Sequence, residues 1–230
     1  MKTIGLLGGM SWESTAVYYR AISEATRAAL GGLHSAPLVL NSVDFAPVEQ
    51  MQRRGDWEGT ARVLCGAALS VQAAGAEFLL ICTNTMHKVA PQIEAAIDIP
   101  VLHIADAVAD VLQREGIQTV GLLGTAFTME QDFYKGYLGR RHGVRVLIPG
   151  SRDRRLVHRV IFEELCLGKT RDSSKREYLR IIDELAEQGA QAVVLGCTEI
   201  AMLVSQDDTR VELLDTTVVH ARKAVQTALT

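Results

Sequence analysis

Apolar residues in this chain fall into short unbroken runs separated by longer stretches in which they recur every three or four positions. The short runs lie at 3–7, 37–43, 78–81, 101–104, 119–123, 144–148, 192–195 and 211–214. Their brevity and their Gly and Pro borders predict buried strands. The longer stretches predict helices over 12–30, 58–74, 105–115, 156–167, 174–188 and 216–229, with another between His87 and Ile99-Pro100. Ser11 is placed to cap the first of these, with Glu13 in its opening turn, and Gly31-Gly32 closes it. Capping-box spacing at Thr128 and Gln131 predicts one more helix start, and Ser174 with Glu177 another. Residues 44–55, which include Gln52-Arg53-Arg54, show no clear period. Strand and helix alternate throughout, which predicts an α/β fold with mainly parallel sheets, flanking helices and right-handed crossovers.

The two halves repeat each other. Ile4-Gly5-Leu6-Leu7-Gly8 returns as Val120-Gly121-Leu122-Leu123-Gly124, an offset of 116 (120 − 4). The pair Cys82-Thr83 returns as Cys197-Thr198, an offset of 115 (197 − 82), and Gly-Ala precedes each cysteine strand at 75–76 and 189–190. A duplicated βα unit accounts for this. It predicts two pseudo-symmetric lobes, 1–99 and 100–207, with 208–230 joining the first. The site is expected in the cleft between them, beyond the carboxyl ends of the strands.

Each repeated cysteine ends an apolar strand, and a helix is expected just beyond it. Free backbone N–H groups and the helix dipole would then favour the thiolate. Two such thiols suit the inversion of a stereocentre, in which one removes a proton from a carbon and the other returns a proton to the opposite face. With each sulfur about 3–3.5 Å from that carbon, the pair would stand roughly 7 Å apart. One must begin as thiolate and the other as thiol, so a bell-shaped pH profile follows. Gly8-Gly9 would let backbone approach a ligand. Ser11, Thr83, Asn84, Thr85, Thr125 and Thr198 supply donors for a carboxylate and for developing negative charge.

Composition narrows the alternatives. The chain has 230 residues, 48% hydrophobic and 22% charged, with a formal net charge of -3 and only 5% aromatics. That balance argues against nucleic acid and an anionic membrane as partners. No apolar run has transmembrane length, the N-terminus reads as a strand with no secretion signal, and the four cysteines form no CxxC pair, so a cytoplasmic location is expected. Gly5-Leu6-Leu7-Gly8-Gly9 is neither GxGxxG nor a Walker motif, so no nucleotide cofactor is expected. His87 stands at no metal-ligand spacing from Cys82, and no metal is expected. Cys65 and Cys166 lack the Cys-Thr context and read as packing thiols. Arg53 and Arg54 suit either a substrate carboxylate or solvent, and Lys169 reads as a surface charge.

Three motifs in order, Gly-Gly-Met-Ser-Trp-Glu-Ser-Thr at 8–15, Cys-Thr-Asn-Thr-Met-His at 82–87 and Gly-Cys-Thr-Glu at 196–199, resemble the aspartate/glutamate racemase family over essentially the whole chain. The resemblance implies a homodimeric amino-acid racemase that needs no pyridoxal phosphate or other cofactor. Its substrates would be aspartate, glutamate or a broader set. It further implies Cys82 and Cys197 as the acid/base pair, the first serving the D-enantiomer and the second the L-enantiomer. Met10, Gln52, Thr83, Asn84 and Thr85 would line the substrate site. Glu199 stands where related glutamate racemases carry His, and it and His87 would support the thiols from behind. Hydantoin racemase, maleate isomerase and arylmalonate decarboxylase share the architecture. Decarboxylation needs one thiol only, and maleate isomerisation would leave a covalent adduct. A two-lobed ligand-binding protein would bind without exchange.

Overall fold

A computed structural model describes residues 1–230, which divide into two compact units: Met1–Ile104 with His220–Thr230, and Ala105–Val219. In the first, β1 (Ile4–Gly8) lies between β2 (Leu38–Ser42) and β3 (Phe78–Ile81), all parallel. Strand alternation gives β1 and β3 two apolar faces. Ile4, Leu6, Phe78 and Leu80 pack with Tyr18 and Ile22 of α1 (Trp12–Leu30) and with Ala221, Ala224, Val225 and Ala228 of α10 (Thr216–Leu229). Leu7, Leu79 and Ile81 pack with Leu64, Ala68 and Val71 of α3 (Trp57–Ala73) and Ile93 of α4 (Ala90–Ala96). Each such buried Leu or Ile contributes about 1.5–3 kcal/mol of transfer free energy.

Residues 44–55 are ordered more strongly than their pattern suggests. They form α2 (Phe45–Arg54), capped by Asp44, whose carboxylate accepts the Ala46 N–H, and closed by Gly55 in the left-handed region. Pro47 sits in the first turn, where its missing N–H costs nothing. The strand expected at 101–104 shrinks to a single bridge, Val101 to Leu79.

The second unit contains α5 beyond its first residue (Ile104–Glu115), then β4 (Thr119–Gly124), α6 (Ala126–Glu130), α7 (Asp132–His142), β5 (Arg145–Leu147), α8 (Ser151–Glu163), α9 (Asp172–Glu187), β6 (Ala192–Gly196) and β7 (Glu212–Asp215). Its sheet runs β5-β4-β6-β7, every pairing parallel. The last strand, expected with the first lobe, therefore belongs to the second sheet, because β7 pairs along β6 from Ala192 to Leu195. Both expected capping boxes are displaced. Thr125 caps α6 by accepting the Thr128 N–H, and Ser174 falls inside the first turn of α9, where its hydroxyl donates to Glu164.

The orders β2-β1-β3 and β5-β4-β6 repeat one topology, but the cysteine strands are not in the same register. Phe78 stands opposite Ile4, whereas Ala192 stands opposite Val120. Cys82 is thus four residues past its strand's first paired position and Cys197 five past. One residue of slip exchanges faces. Cys82 joins the Leu6–Leu80 face of its sheet, while Cys197 continues the alternation of Leu195 on the Leu123 face of the other.

Candidate functional site

In the first unit Cys82 caps the end of β3, its N–H donating to the Leu7 carbonyl at 2.9 Å. It is 0% exposed, in the apolar cluster that includes Leu6, Tyr18 and Leu80, and burial pushes its thiol far above the usual range. No long helix follows it. Thr85–Val89 is a 3₁₀ turn preceded by Asn84, with no side-chain cap bond, before α4 begins. The helix-dipole lowering of the thiol expected from sequence is accordingly overridden by desolvation.

Adjacent strand ends carry the other expected residues. β1 leads into Met10 and Ser11, and β3 into Thr83, Asn84 and Thr85; all but Thr83, which is partly exposed, are buried. Met10, Met86 and Val48 of α2 share one apolar cluster. Gln52, 4% exposed, lies one helical turn beyond Val48 and so on the same face of α2. Ser11 caps α1, accepting the Ser14 N–H at 3.3 Å. Protein packing by itself requires both glycines. A Cβ on Gly8 would lie 2.5 Å from Thr15 Cγ2, and one on Gly9 (φ +90°) 2.2 Å from the Val43 carbonyl oxygen. Arg53 is exposed and pairs with Glu49, and Arg54 is exposed in the last turn of α2.

Behind Cys82 lies a histidine cluster of which sequence reasoning singles out only His87. Nδ1 of His87 is 2.8 Å from the Thr83 carbonyl, and its Nε2 accepts the Ile104 N–H at 3.2 Å. His103 meets it edge-on at 4.5 Å between ring centroids, and His220 at 6.1 Å. Nε2 of His220 is 2.7 Å from the Leu102 carbonyl and Nδ1 is 2.8 Å from the Tyr18 hydroxyl. Since a carbonyl only accepts, the network assigns His220 as the Nε2–H tautomer with Tyr18 donating to Nδ1. Burial, then the nearby His87, pushes His220 down to about 3.

In the second unit Cys197 follows β6 in extended backbone and is partly exposed. Its thiol donates to Glu199 Oε2 at 3.0 Å, and the Thr198 hydroxyl donates to the same oxygen at 3.0 Å. Glu199 itself is only 6% exposed. Thr198–Met202 is again a 3₁₀ turn in place of the expected helix. Burial, then the Glu199 charge and the neighbouring Cys166, push the Cys197 thiol well up. Cys166, a packing thiol by its sequence context, sits in the turn Leu165–Leu167, which packs against 198–202; its influence and that of Cys197 also reach Tyr178. No motif announces this neighbour, because its approach depends on how α8 ends. Thr125 is buried and its hydroxyl oxygen caps α6, while Lys169 is exposed past Gly168. No group of three or more His, Cys, Asp or Glu side chains is arranged to hold a metal ion, and no helix is long and apolar enough to cross a membrane.

Each unit thus ends one strand on a thiol that burial keeps protonated, and one of the two faces a carboxylate. Residues 7–224 match a family model described as Asp/Glu/hydantoin racemase. A broad-specificity amino-acid racemase of Bacillus subtilis (strain 168) is 20% identical over 227 residues, 98% of each chain. Among solved structures, a candidate Asp/Glu racemase from Yersinia pestis is 52% identical with a TM-score of 0.94, over 100% of both chains. An aspartate racemase homologue from Pyrococcus horikoshii OT3 is 34% identical with a TM-score of 0.87, again over 100% of both. The names these relatives carry support an isomerase acting on amino acids.

Proposed function

Because the chain belongs to the Asp/Glu/hydantoin racemase family, we propose that it interconverts the L- and D-enantiomers of aspartate, glutamate or a broader set of amino acids by proton transfer at Cα, with Cys82 and Cys197 as the two acid/base groups and no pyridoxal phosphate. The observation that carries this reading is that both thiols come directly after corresponding strands, β3 beside β1 and β6 beside β4. One thiolate takes the Cα proton, leaving the electron pair on the carbanion. The other thiol then gives its proton to the opposite face.

Cys82 is the base for the D-enantiomer and Cys197 for the L-enantiomer. For Cys197 to act as base its own proton must leave first, and Glu199 Oε2 stands 3.0 Å away to take it. In the reverse direction Cys197 delivers its proton as an acid. Ser11, Asn84 and Thr85, with Met10 and Gln52 beside them, hold the substrate carboxylate and side chain; Thr83, Thr125 and Thr198 complete the donors. The enzyme works as a homodimer in the cytoplasm, in two domains divided near residues 104 and 219.

The reading is tested with purified protein, no added cofactor, and a panel of L- and D-amino acids plus hydantoins, followed by chiral chromatography. Racemisation of aspartate or glutamate is expected. Turnover of hydantoins alone would move the substrate class, and silence across the panel would remove the racemase reading.

A further inference from the structure

The His87 imidazole bridges two pieces of backbone that matter for different reasons. The Thr83 carbonyl belongs to the residue directly after Cys82. The Ile104 amide belongs to the last residue of the first unit's opening segment. A carbonyl accepts and an amide donates, so Nδ1 carries the proton and Nε2 a lone pair, which fixes one neutral tautomer with both nitrogens engaged. A ring so committed has no site left for proton transfer to substrate. It can still set where the Cys82 loop lies.

The surroundings reinforce that role. His103 packs edge-on against the ring, and the Tyr18–His220 pair holds the Leu102 carbonyl, two residues before Ile104. The turn that carries Thr85 and Met86 is only five residues of 3₁₀ geometry and has no side-chain cap of its own. Helical hydrogen bonding alone gives such a turn little rigidity.

We propose that His87 is a positioning residue for the Cys82 thiol: through its Nδ1–H bond to the Thr83 carbonyl and its Nε2 bond from Ile104, it pins the loop 82–85 to the segment 102–104. The catalytic part of this role rests on the racemase reading above. The loop-pinning part does not.

Half-mimics of the ring separate the two bonds. His87→Asn keeps an N–H donor at the δ position for Thr83 and loses the acceptor for Ile104. His87→Gln keeps an acceptor at the ε position and loses the donor to Thr83. His87→Ala keeps neither. Two quantities are read on each protein: kcat and KM for the best panel substrate, and the rate at which iodoacetamide labels Cys82, resolved by peptide mass spectrometry. His87→Asn and His87→Gln each remove one end of the bridge, so both are expected to release the loop. All three variants are expected to lower kcat by roughly 10²-fold with a much smaller change in KM and to label Cys82 faster, His87→Ala no more than the half-mimics, while His87→Gln and His87→Asn melt within a few degrees of each other.

Wild-type kcat and labelling in either half-mimic, or effects that track melting temperature alone, would overturn the proposal. If the wild-type protein turned over no substrate, the racemase reading would fall; the labelling rates would still decide the pinning claim.

Discussion

Cys82 is fully buried at the end of the cluster that holds Leu6, Tyr18 and Leu80, and desolvation alone raises its thiol. Cys197 has Glu199 and Cys166 beside it, so charge adds to burial. The two thiols therefore sit in unlike environments. Removing the carboxylate while keeping its shape tests this: in Glu199→Gln the repulsion on the Cys197 thiolate disappears. The thiol then ionises at lower pH than in wild type, read as alkylation rate against pH at that cysteine. The same change removes the proton acceptor, so L-to-D kcat should fall by roughly 10²–10⁴-fold. An unmoved ionisation curve would show that Glu199 does not act on Cys197. Both cysteines are legible in the sequence because Cys-Thr occurs twice after an apolar run. Cys166, Tyr178 and His220 are not legible: their places are set by the end of α8, the face of α9 and the return of α10. No local pattern records such packing.

Among the elements, strands and long helices follow from periodicity, since each buries one face. Sequence and structure part where few residues do the folding. Helix α2 presents only Val48 and Gln52 as buried positions, so its period is faint, yet Asp44 and Gly55 cap both ends. At the Gly8-Gly9 step the structure adds a packing reason for glycine: Thr15 and Val43 occupy the Cβ side, and Gly9 N–H donates to Thr15 Oγ1 at 2.8 Å. Gly9→Ala forces a Cβ onto the Val43 backbone at φ +90°. It should cost on the order of 1–3 kcal/mol in urea unfolding. Activity should fall with it, because Met10 and Ser11 follow immediately. Wild-type stability in that variant would contradict the packing role of this glycine.

For the whole molecule, the repeat offsets of 116 and 115 are visible in the sequence, but their one-residue disagreement needs strand register to acquire meaning. It places the two thiols on non-equivalent faces of equivalent sheets. The C-terminal helix returns four apolar residues to the first unit and brings His220 into its core. An unfolded histidine binds a proton near 6.5, whereas His220 folded does so only near 3. The unfolded state thus holds the extra proton between those values. Stability from this group is full above about 6.5 and is lost as pH falls toward 3, by up to about 1.4 kcal/mol per pH unit. Urea unfolding from pH 7 to pH 4 should show a shallower slope for His220→Asn than for wild type. Parallel slopes would mean that His220 titrates normally.

The two-thiol mechanism is tested most directly by proton NMR in deuterated water, following the Cα–H signal of each enantiomer with wild type, Cys82→Ala and Cys197→Ala. Wild type should exchange both enantiomers with inversion. Each single variant should lose racemisation and retain at most exchange of one enantiomer: the L-form for Cys82→Ala, the D-form for Cys197→Ala. Normal two-way turnover by either variant would contradict the assignment of both cysteines as the acid/base pair.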